Sequence, residues 1–287
     1  MEPYRLIDAH VHFWDPGVLR YPWLDDEPAL RRAFLPTDLD ALATRAIDGL
    51  VFVEANCLPS QHIAECDFVE QLTAHEPRIL GTVAFVDLLD ADARRVSLEQ
   101  LARRERVVGV RHNVQGQPRG FALQPEFVRG VQEVAGHDLT FDLCITAAQL
   151  PEITELVRRC PDARFVLDHC GKPSVRSDAF EPWATDLARL AECANVACKL
   201  SGLLTEARPD QRGEEVLSRY ARHAMLCFGA ERLLYGSDWP VVTISGGERA
   251  WHELADTITA EWSDDDRRAF FGENAVQVYG LDLSTGS

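Results

Sequence analysis

Short apolar runs rich in β-branched residues alternate along the chain with longer stretches in which apolar residues follow a helical pattern. The strand-like runs cover residues 6–10, 49–54, 80–85, 107–111, 139–145, 164–168, 196–200 and 232–235. The helix-like stretches cover residues 39–47, 63–74, 91–103, 124–135, 147–159, 183–192, 213–228 and 248–260. Strands that alternate with helices form βαβ units, so this order predicts a parallel sheet.

The number of these units and the chain length favour one closed architecture. Eight strand–helix units in 287 residues match a (β/α)8 barrel, which needs about 250 residues. We therefore predict an α/β fold, a TIM barrel that spans residues 1–287 as a single domain. A doubly wound open sheet is the competing fold, but no Gly-x-Gly-x-x-Gly sequence follows an early strand. In a barrel, the active-site loops follow the carboxyl ends of the strands.

Composition and charge exclude several classes of protein. The net charge of −17 argues against a nucleic-acid partner, because phosphates need a basic face. No apolar run approaches the roughly 20 residues of a membrane span, and the first residues do not resemble a signal peptide. The 8 cysteines form no Cys-x-x-Cys pair, which indicates reduced thiols rather than disulfides. We expect a soluble cytoplasmic protein with neither a nucleic-acid nor a membrane partner.

The first predicted strand ends in two histidines, His10 and His12, separated by one residue. Side chains alternate along a strand with a period of two, so both imidazoles lie on the same face. Such a pair suits either metal ligation or acid–base chemistry. The pair alone does not decide between these two uses.

Polar residues also end the other predicted strands. They are Glu54 and Asn56, Arg111 and His112, Asp142, Asp168 to Lys172, Lys199, and Asp238 with Trp239. Each has an ordinary structural explanation when taken alone; Asp142 is equally well explained as a buried, hydrogen-bonded acid. In a barrel, however, all of them lie at the same rim. Ionisable groups crowded at one rim perturb each other's pKa values and favour proton transfer or metal binding.

These residues resemble the amidohydrolase superfamily. The resemblance rests on His10-x-His12 after strand one, Asp168-His169 at strand six, and Gly-Ser-Asp-Trp-Pro at residues 236–240. More narrowly, the chain resembles the sugar-acid lactonases of amidohydrolase-related family 2, such as those for fuconolactone and rhamnonolactone. That likeness lies in residues 8–15, 21–23, 111–112, 168–173 and 198–202, and it covers nearly the whole chain.

The resemblance implies a distorted (β/α)8 barrel that hydrolyses the ester bond of a small lactone ring, with Asp238 as the general base for water. His10, His12, His169 and Asp238 are then the expected ligands of one Zn²⁺ or another divalent ion. Metal-independent catalysis stays open, because some lactonases of this group work without a metal. Strand four offers Arg111 where a carboxylated lysine would bridge two metals, so no binuclear centre is expected.

Lactone hydrolysis also requires that the carbonyl oxygen be stabilised as it becomes an oxyanion. His10, His12 and His169, with or without one Zn²⁺, are expected to polarise the carbonyl or position the water. Without a metal, Arg111 and Lys199 are the cations best placed to stabilise the oxyanion. The remaining residues are predicted to bind the substrate: Trp14, Tyr21, Trp23, Glu54, Asn56, His112, Asp142, Lys172 and Trp239. For Trp14, packing in the core is an equal alternative.

The predicted substrate is a small molecule, a neutral sugar-acid lactone, and the oligomeric state stays open, with a homo-oligomer as one outcome. Three alternative functions remain. The first is a lactonase for an acidic substrate of the muconolactone or pyrone type. The second is a metal-dependent carboxy-lyase of the same superfamily. The third is a barrel that binds a sugar acid without catalysis.

Overall fold

The protein consists of parallel strands surrounded by helices. The computed structural model describes residues 4–40 and 45–286. Within those residues, eight strands form one sheet in sequence order, each parallel to the next. The strands are β1 (Ile7–Val11), β2 (Gly49–Val53), β3 (Ile79–Phe85), β4 (Val107–Arg111), β5 (Thr140–Leu143), β6 (Arg164–Leu167), β7 (Val196–Leu200) and β8 (Leu233–Tyr235). The predicted (β/α)8 barrel is therefore confirmed.

Helices follow the strands and surround the barrel, and the last of them come after β8. They are α1 (Pro36–Asp40), α2 (His62–Thr73), α3 (Ala91–Leu101), α4 (Pro125–Gly136), α5 (Leu150–Arg159), α6 (Trp183–Ala191), α7 (Leu203–Glu206), α8 (Glu214–Phe228), α9 (Gly247–Ile258), α10 (Asp264–Arg268) and α11 (Asn274–Tyr279). The predicted helix over 39–47 overlaps the end of α1, and its residues 41–44 lie outside the described part of the chain. No helix in the described ranges is long and apolar enough to cross a bilayer.

The barrel closes between β1 and the segment that follows β8. The amide N–H of Asp238 donates to the carbonyl of His10 at 2.9 Å, and that of His12 donates to the carbonyl of Trp239 at 2.7 Å. The buried carboxylate of Asp8 accepts from the N–H of Ser237 at 2.9 Å. This seam brings the two ends of the predicted site together.

A register irregularity in β1 sets the direction of its histidines. Ile7 and Ala9 belong to an apolar cluster inside the barrel, formed with side chains such as Val51 and Leu234. Val11 instead belongs to the larger cluster between barrel and helices. The alternation of inward-facing and outward-facing side chains along β1 therefore shifts between Asp8 and Val11, where the β1–β2 register is irregular. Irregularities of this kind re-aim side chains next to active sites, and here His10 and His12 turn inward.

The last helices close the amino-terminal end of the barrel. After α10, a π-helical turn (Ala269–Glu273) leads into α11. Ala275 and Tyr279 of α11, followed by Leu281, pack against the apolar cluster inside the barrel. The barrel interior is thus filled from this end by mainly apolar side chains, and the cluster of His10, His12, His169 and Asp238 lies at the opposite end.

Candidate active site

Three imidazoles and one carboxylate converge at the carboxyl end of the barrel. The Nε2 atoms of His10 and His12 lie 3.2 Å apart. Oδ1 of Asp238 lies 3.8, 3.5 and 3.9 Å from the Nε2 atoms of His10, His12 and His169 respectively. All four side chains are buried. The structure therefore brings the predicted metal ligands into one cluster.

Each of the three imidazoles has a protein partner at its other ring nitrogen. Nδ1 of His12 donates to the carbonyl of Val53 at 2.7 Å, Nδ1 of His169 lies 2.8 Å from the hydroxyl of Ser201, and Nδ1 of His10 lies 3.1 Å from Oδ1 of Asp168. Partners at one nitrogen fix the orientation of a ring and direct the other nitrogen at a common centre, as around protein-bound metals.

Two of the four residues have a left-handed backbone conformation, which is strained for a residue other than glycine. His169 has φ +54° and begins a run of left-handed residues that ends at Lys172, with φ +48°. Asp238 has φ +60°. Gly202 packs directly on His169, because a Cβ built on this glycine would lie 2.8 Å from the histidine Cβ. Residues in such conformations cluster at functional sites.

The spacing of His10, His12 and Asp238 fits one divalent ion, and His169 lies next to Asp238. Ligands about 2.1 Å from a tetrahedral zinc ion are roughly 3.4 Å from one another. The observed separations of 3.2 to 3.9 Å bracket this value. Within the described residues, the ligand atoms of His10, His12 and Asp238 all lie within 4.8 Å of one another. These residues can therefore hold a metal ion.

Protonation of the cluster also suits ligation. Burial, reinforced by the charge of Lys199, lowers the pKa of His10 well below its ordinary value. Burial lowers the pKa of His169 to about 4. Burial raises the pKa of Asp238, but the neighbouring His169, His12 and His10 outweigh it and hold that pKa below the ordinary value. Near pH 7 the site therefore contains the carboxylate of Asp238 and neutral imidazoles at His10 and His169, which are the forms that bind metals.

Two cations lie beside and beneath this cluster, and both are compensated. Arg111 donates to Oε1 of Glu54 at 2.6 Å and to Oδ2 of Asp168 at 3.2 Å. Lys199 is fully buried, with its Nζ 2.6 Å from Asp142 and 3.0 Å from Asp168. Arg111 reaches the cavity surface, whereas Lys199 does not. Its position therefore does not support the predicted contact between Lys199 and the oxyanion.

A cavity of about 540 Å³ opens above the cluster, a volume typical of small-molecule sites. The predicted site residues that line it are His12, Trp23, Asn56, Arg111, His169, Lys172 and Asp238. Asn113 and Gln115 also line it, although the sequence reasoning did not single them out. The available signal was their place in the loop directly after β4, since such loops form the barrel mouth.

Three aromatic residues predicted to bind substrate are packed into the wall instead. Trp14 is fully buried, and its Nε1 donates to the carbonyl of Arg32 at 2.9 Å. Tyr21 and Trp239 are also buried and do not line the cavity. A loop residue after a strand can either pack in the core or line the cavity. Trp14, Tyr21 and Trp239 pack in the core.

Three predicted polar contacts also lie away from the cavity surface. His112 accepts a hydrogen bond at Nδ1 from the N–H of Leu88, and its ring packs among phenylalanines such as Phe127. Glu54 and Asp142 are buried and paired with Arg111 and Lys199. Their carboxylates hold the cations of the site in place and do not contact the cavity.

Comparison with known proteins identifies the family. The amidohydrolase family model matches residues 7–281. An L-fucono-1,5-lactonase of Burkholderia ambifaria is 33% identical over 98% of this chain and 97% of its own length. An L-fucono-1,5-lactonase of Burkholderia multivorans is 31% identical, with 96% of each chain covered.

A solved structure agrees with this result. The crystal structure of an amidohydrolase from Burkholderia multivorans with bound zinc superposes with a TM-score of 0.87 at 30% identity, covering 97% of this chain and 100% of that chain. Together with the nearly full-length sequence matches, this places the protein in the amidohydrolase family.

Proposed function

We propose that this amidohydrolase hydrolyses the ring ester of a sugar-acid lactone. The observation that carries the proposal is the carboxylate of Asp238, which lines the floor of the cavity among three inward-facing imidazoles. Two relatives that match nearly the whole chain bear the name L-fucono-1,5-lactonase. The cavity of about 540 Å³ has room for a single sugar ring.

In this proposal, His10, His12 and Asp238 would hold one divalent ion, with the neighbouring His169 as a fourth ligand. Zinc is the ion bound in the Burkholderia multivorans structure. When bound, such an ion polarises the lactone carbonyl and lowers the pKa of a water molecule. The missing lysine at strand four, where Arg111 stands, supports one ion rather than two.

Asp238 acts as the general base. Its carboxylate removes a proton from the attacking water, whose oxygen forms a bond to the carbonyl carbon. The bond between that carbon and the ring oxygen then breaks, and Asp238 returns the proton to the departing oxygen. The product is a hydroxy acid. Oδ1 of Asp238 faces the imidazoles, while the side chain still reaches the cavity.

Arg111 stabilises the carbonyl oxygen as negative charge develops on it. Its guanidinium has five N–H donors, of which three are used, two by Glu54 and one by Asp168. The other two donate to no acceptor in the described part of the chain, and Arg111 lines the cavity. Preorganised donors of this kind each contribute on the order of 3 kcal/mol to acyl-transfer barriers.

A neutral lactone suits this cavity better than an acidic one. The charge of Arg111 is balanced by Glu54 and Asp168. Lys172 then provides the one lining cation that has no ion pair among the described residues. A dicarboxylate such as a pyrone diacid would need two compensating cations, so we favour the polyhydroxylated neutral ring.

The proposal is tested with Asp238→Asn. This variant keeps the shape of the side chain but cannot accept a proton, so kcat/KM for L-fucono-1,5-lactone is expected to fall by about 10²–10⁴-fold. Circular dichroism and thermal unfolding check that the fold is intact. Asp162→Asn, an exposed aspartate on the surface, serves as the matched control. Near-native turnover by Asp238→Asn would contradict the assigned base.

The metal and the alternative functions are examined on the same preparation. Elemental analysis and chelation are expected to show a bound divalent ion whose removal stops turnover and whose return restores it. Release of carbon dioxide from an unsaturated acid, without lactone hydrolysis, would indicate a carboxy-lyase. Binding of the lactone without any turnover by the wild-type protein would indicate a sugar-acid binding barrel.

A further inference from the structure

Loops after three different strands are joined at the cavity mouth by a chain of hydrogen bonds that the mechanism above does not use. Nδ2 of Asn113 donates to Oδ1 of Asn56 at 3.2 Å. The N–H of Gln115 donates to Oδ1 of Asn113 at 2.9 Å. Nζ of Lys172 donates to Oε1 of Gln115 at 2.5 Å. We call Asn56, Asn113, Gln115 and Lys172 the polar belt; all four line the cavity that contains Asp238.

The polar belt is attached to the floor of the site. Oε2 of Glu54 accepts from the N–H of Asn56 at 2.7 Å, while Oε1 of the same carboxylate accepts from Arg111 at 2.6 Å. Asn56 has φ +54°, a left-handed conformation that this backbone hydrogen bond holds. The belt therefore has a fixed position relative to Arg111 and to the reacting centre.

The groups that the belt leaves available are donors. The side-chain oxygens of Asn56, Asn113 and Gln115 all accept hydrogen bonds within the belt. Among the described residues, Nδ2 of Asn56 and Nε2 of Gln115 donate to no protein acceptor. Lys172 has three donors and uses one of them in the belt. A ligand that complements this surface carries several oxygen acceptors on one edge.

Part of the lining across the barrel mouth is apolar. Trp23 follows β1 and Val241 follows β8, and in a closed eight-strand order these lie across from the loop after β4. Nε1 of Trp23 already donates to the carbonyl of Ala55 at 2.8 Å, so the indole offers its apolar surface. A ring with an apolar face and a row of hydroxyl groups matches both linings.

We propose that the polar belt is the hydroxyl-recognition surface of this enzyme, and that Gln115 in particular decides which polyhydroxylated lactones are accepted. This inference rests on the proposed lactonase function. It goes further by assigning substrate discrimination to loop residues that take no part in bond cleavage. The substrate class it specifies is a neutral lactone whose hydroxyl oxygens accept hydrogen bonds from the belt.

The test compares two lactones with the same six-membered ring, one with hydroxyl groups and one without. L-fucono-1,5-lactone carries the hydroxyls, and δ-valerolactone carries none. The variants are Gln115→Ala, which removes a donor, and Asn113→Ala, which breaks the middle of the belt. Gln117→Ala is the matched control, because Gln117 is an exposed amide on the same loop that does not line this cavity.

For both belt variants, kcat/KM is expected to fall at least about tenfold more on L-fucono-1,5-lactone than on δ-valerolactone. Most of this loss should appear as a raised KM, because the contacts are made equally in the ground state and the transition state. Gln117→Ala should keep the wild-type ratio between the two lactones. Thermal unfolding of each variant separates lost recognition from lost folding.

The outcomes separate this inference from the function on which it rests. Equal losses on both lactones, or equal wild-type kcat/KM on both, would overturn hydroxyl recognition and leave the lactonase proposal standing. Wild-type turnover of L-fucono-1,5-lactone with none of δ-valerolactone would support it, because sites built to hydrogen-bond hydroxyls reject analogues that lack them. Wild-type failure on both lactones would reject both proposals.

Discussion

At the scale of single residues, the orientation of His169 depends on a glycine that contacts it from another strand end. Gly202 has φ +69°, and a Cβ built there would lie 2.8 Å from Cγ and 2.9 Å from Nδ1 of His169. The hydroxyl of Ser201, one residue earlier, lies 2.8 Å from the same Nδ1. Residues 201 and 202 together determine where this imidazole points.

Gly202→Ala is therefore expected to reduce kcat/KM strongly, because the added methyl group displaces His169 from the cluster. Gly120→Ala is the matched control. Gly120 has a similar conformation, with φ +88°, but a Cβ built there meets nothing within 4 Å. Both variants should lose on the order of 1 kcal/mol of stability from the left-handed conformation alone. Lactonase assays and thermal unfolding compare the two.

The test compares the loss of activity in Gly202→Ala with that in Gly120→Ala. A loss of activity confined to Gly202→Ala would support positioning of His169. Equal activity in both variants, at equal stability, would show that the imidazole tolerates displacement and that its orientation matters less than the geometry indicates.

At the scale of elements, α2 holds the segment after β2 through one buried acid. Glu65 of α2 is 1% exposed, and its Oε1 accepts from the N–H of Ala55 at 3.2 Å. Burial, followed by the charge of Glu54, raises the pKa of Glu65 from 4.5 to about 8. Glu65 is therefore protonated in the folded protein at neutral pH, next to Glu54, whose Oε1 accepts a hydrogen bond from Arg111.

This raised pKa makes stability fall as pH rises. Between pH 4.5 and about 8, the folded protein keeps a proton on Glu65 that the unfolded chain has lost. The free energy of unfolding thus decreases through this window by up to about 1.4 kcal/mol per pH unit. Glu65→Gln removes the titration, so its stability relative to wild type should increase from pH 5 to pH 8 in urea unfolding.

Glu261→Gln, at an exposed position, is the control for this comparison. Its difference from wild type should not change with pH over the same range. A constant difference between Glu65→Gln and wild type at all pH values would mean that Glu65 is ionised in the folded protein, contrary to the expectation from its burial.

The sequence predicts strands better than it predicts the last helices. Predicted ranges coincide with β4 (Val107–Arg111) and β7 (Val196–Leu200), because most residues of these runs are apolar and only one residue in each is charged, Arg111 and Lys199. The helices α10 and α11 were not predicted. The first begins Asp-Asp-Asp, and the second spans six residues, so neither shows a long apolar period. Packing against the end of the barrel, which sequence periodicity does not record, stabilises them.

At the scale of the whole molecule, a line of polar contacts runs through the barrel from its amino-terminal end to the site. The hydroxyl of Tyr279 donates to Oδ2 of Asp142 at 2.8 Å, and the same oxygen accepts from Lys199 at 2.6 Å. Nζ of Lys199 lies 3.2 Å from Nδ1 of His10. The helix that closes the barrel is thereby connected to a proposed metal ligand.

Tyr279→Phe is expected to destabilise the fold by about 1–3 kcal/mol, because it removes a buried hydrogen bond to a charge-paired carboxylate. Tyr220→Phe is the matched control, since the buried hydroxyl of Tyr220 has no hydrogen-bond partner among the described residues. Denaturant unfolding of both variants checks the prediction. Equal stability of the two would mean that the contact between Tyr279 and Asp142 contributes nothing measurable.

The sequence predicted which residues lie at the active-site end of the barrel, but not which of their side chains reach the cavity. The order of strands placed His10, His169 and Asp238 at one end of the barrel, and the structure brings them together. Strand order does not determine whether a side chain at that end faces the cavity or pairs below it. Lys199 is an example, because its two aspartate partners come from other strands. That residues 1–287 form one domain stays a prediction.

The seam between β1 and the segment after β8 has a consequence for synthesis of the protein. Asp8 and Ser237, whose hydrogen bond closes the seam, are 229 residues apart in the chain. A chain emerging from the ribosome therefore cannot assemble the cluster of His10, His12 and Asp238 until almost all of it has been made. Because the proposed site needs both ends of the chain, we expect catalytic activity to report complete barrel closure.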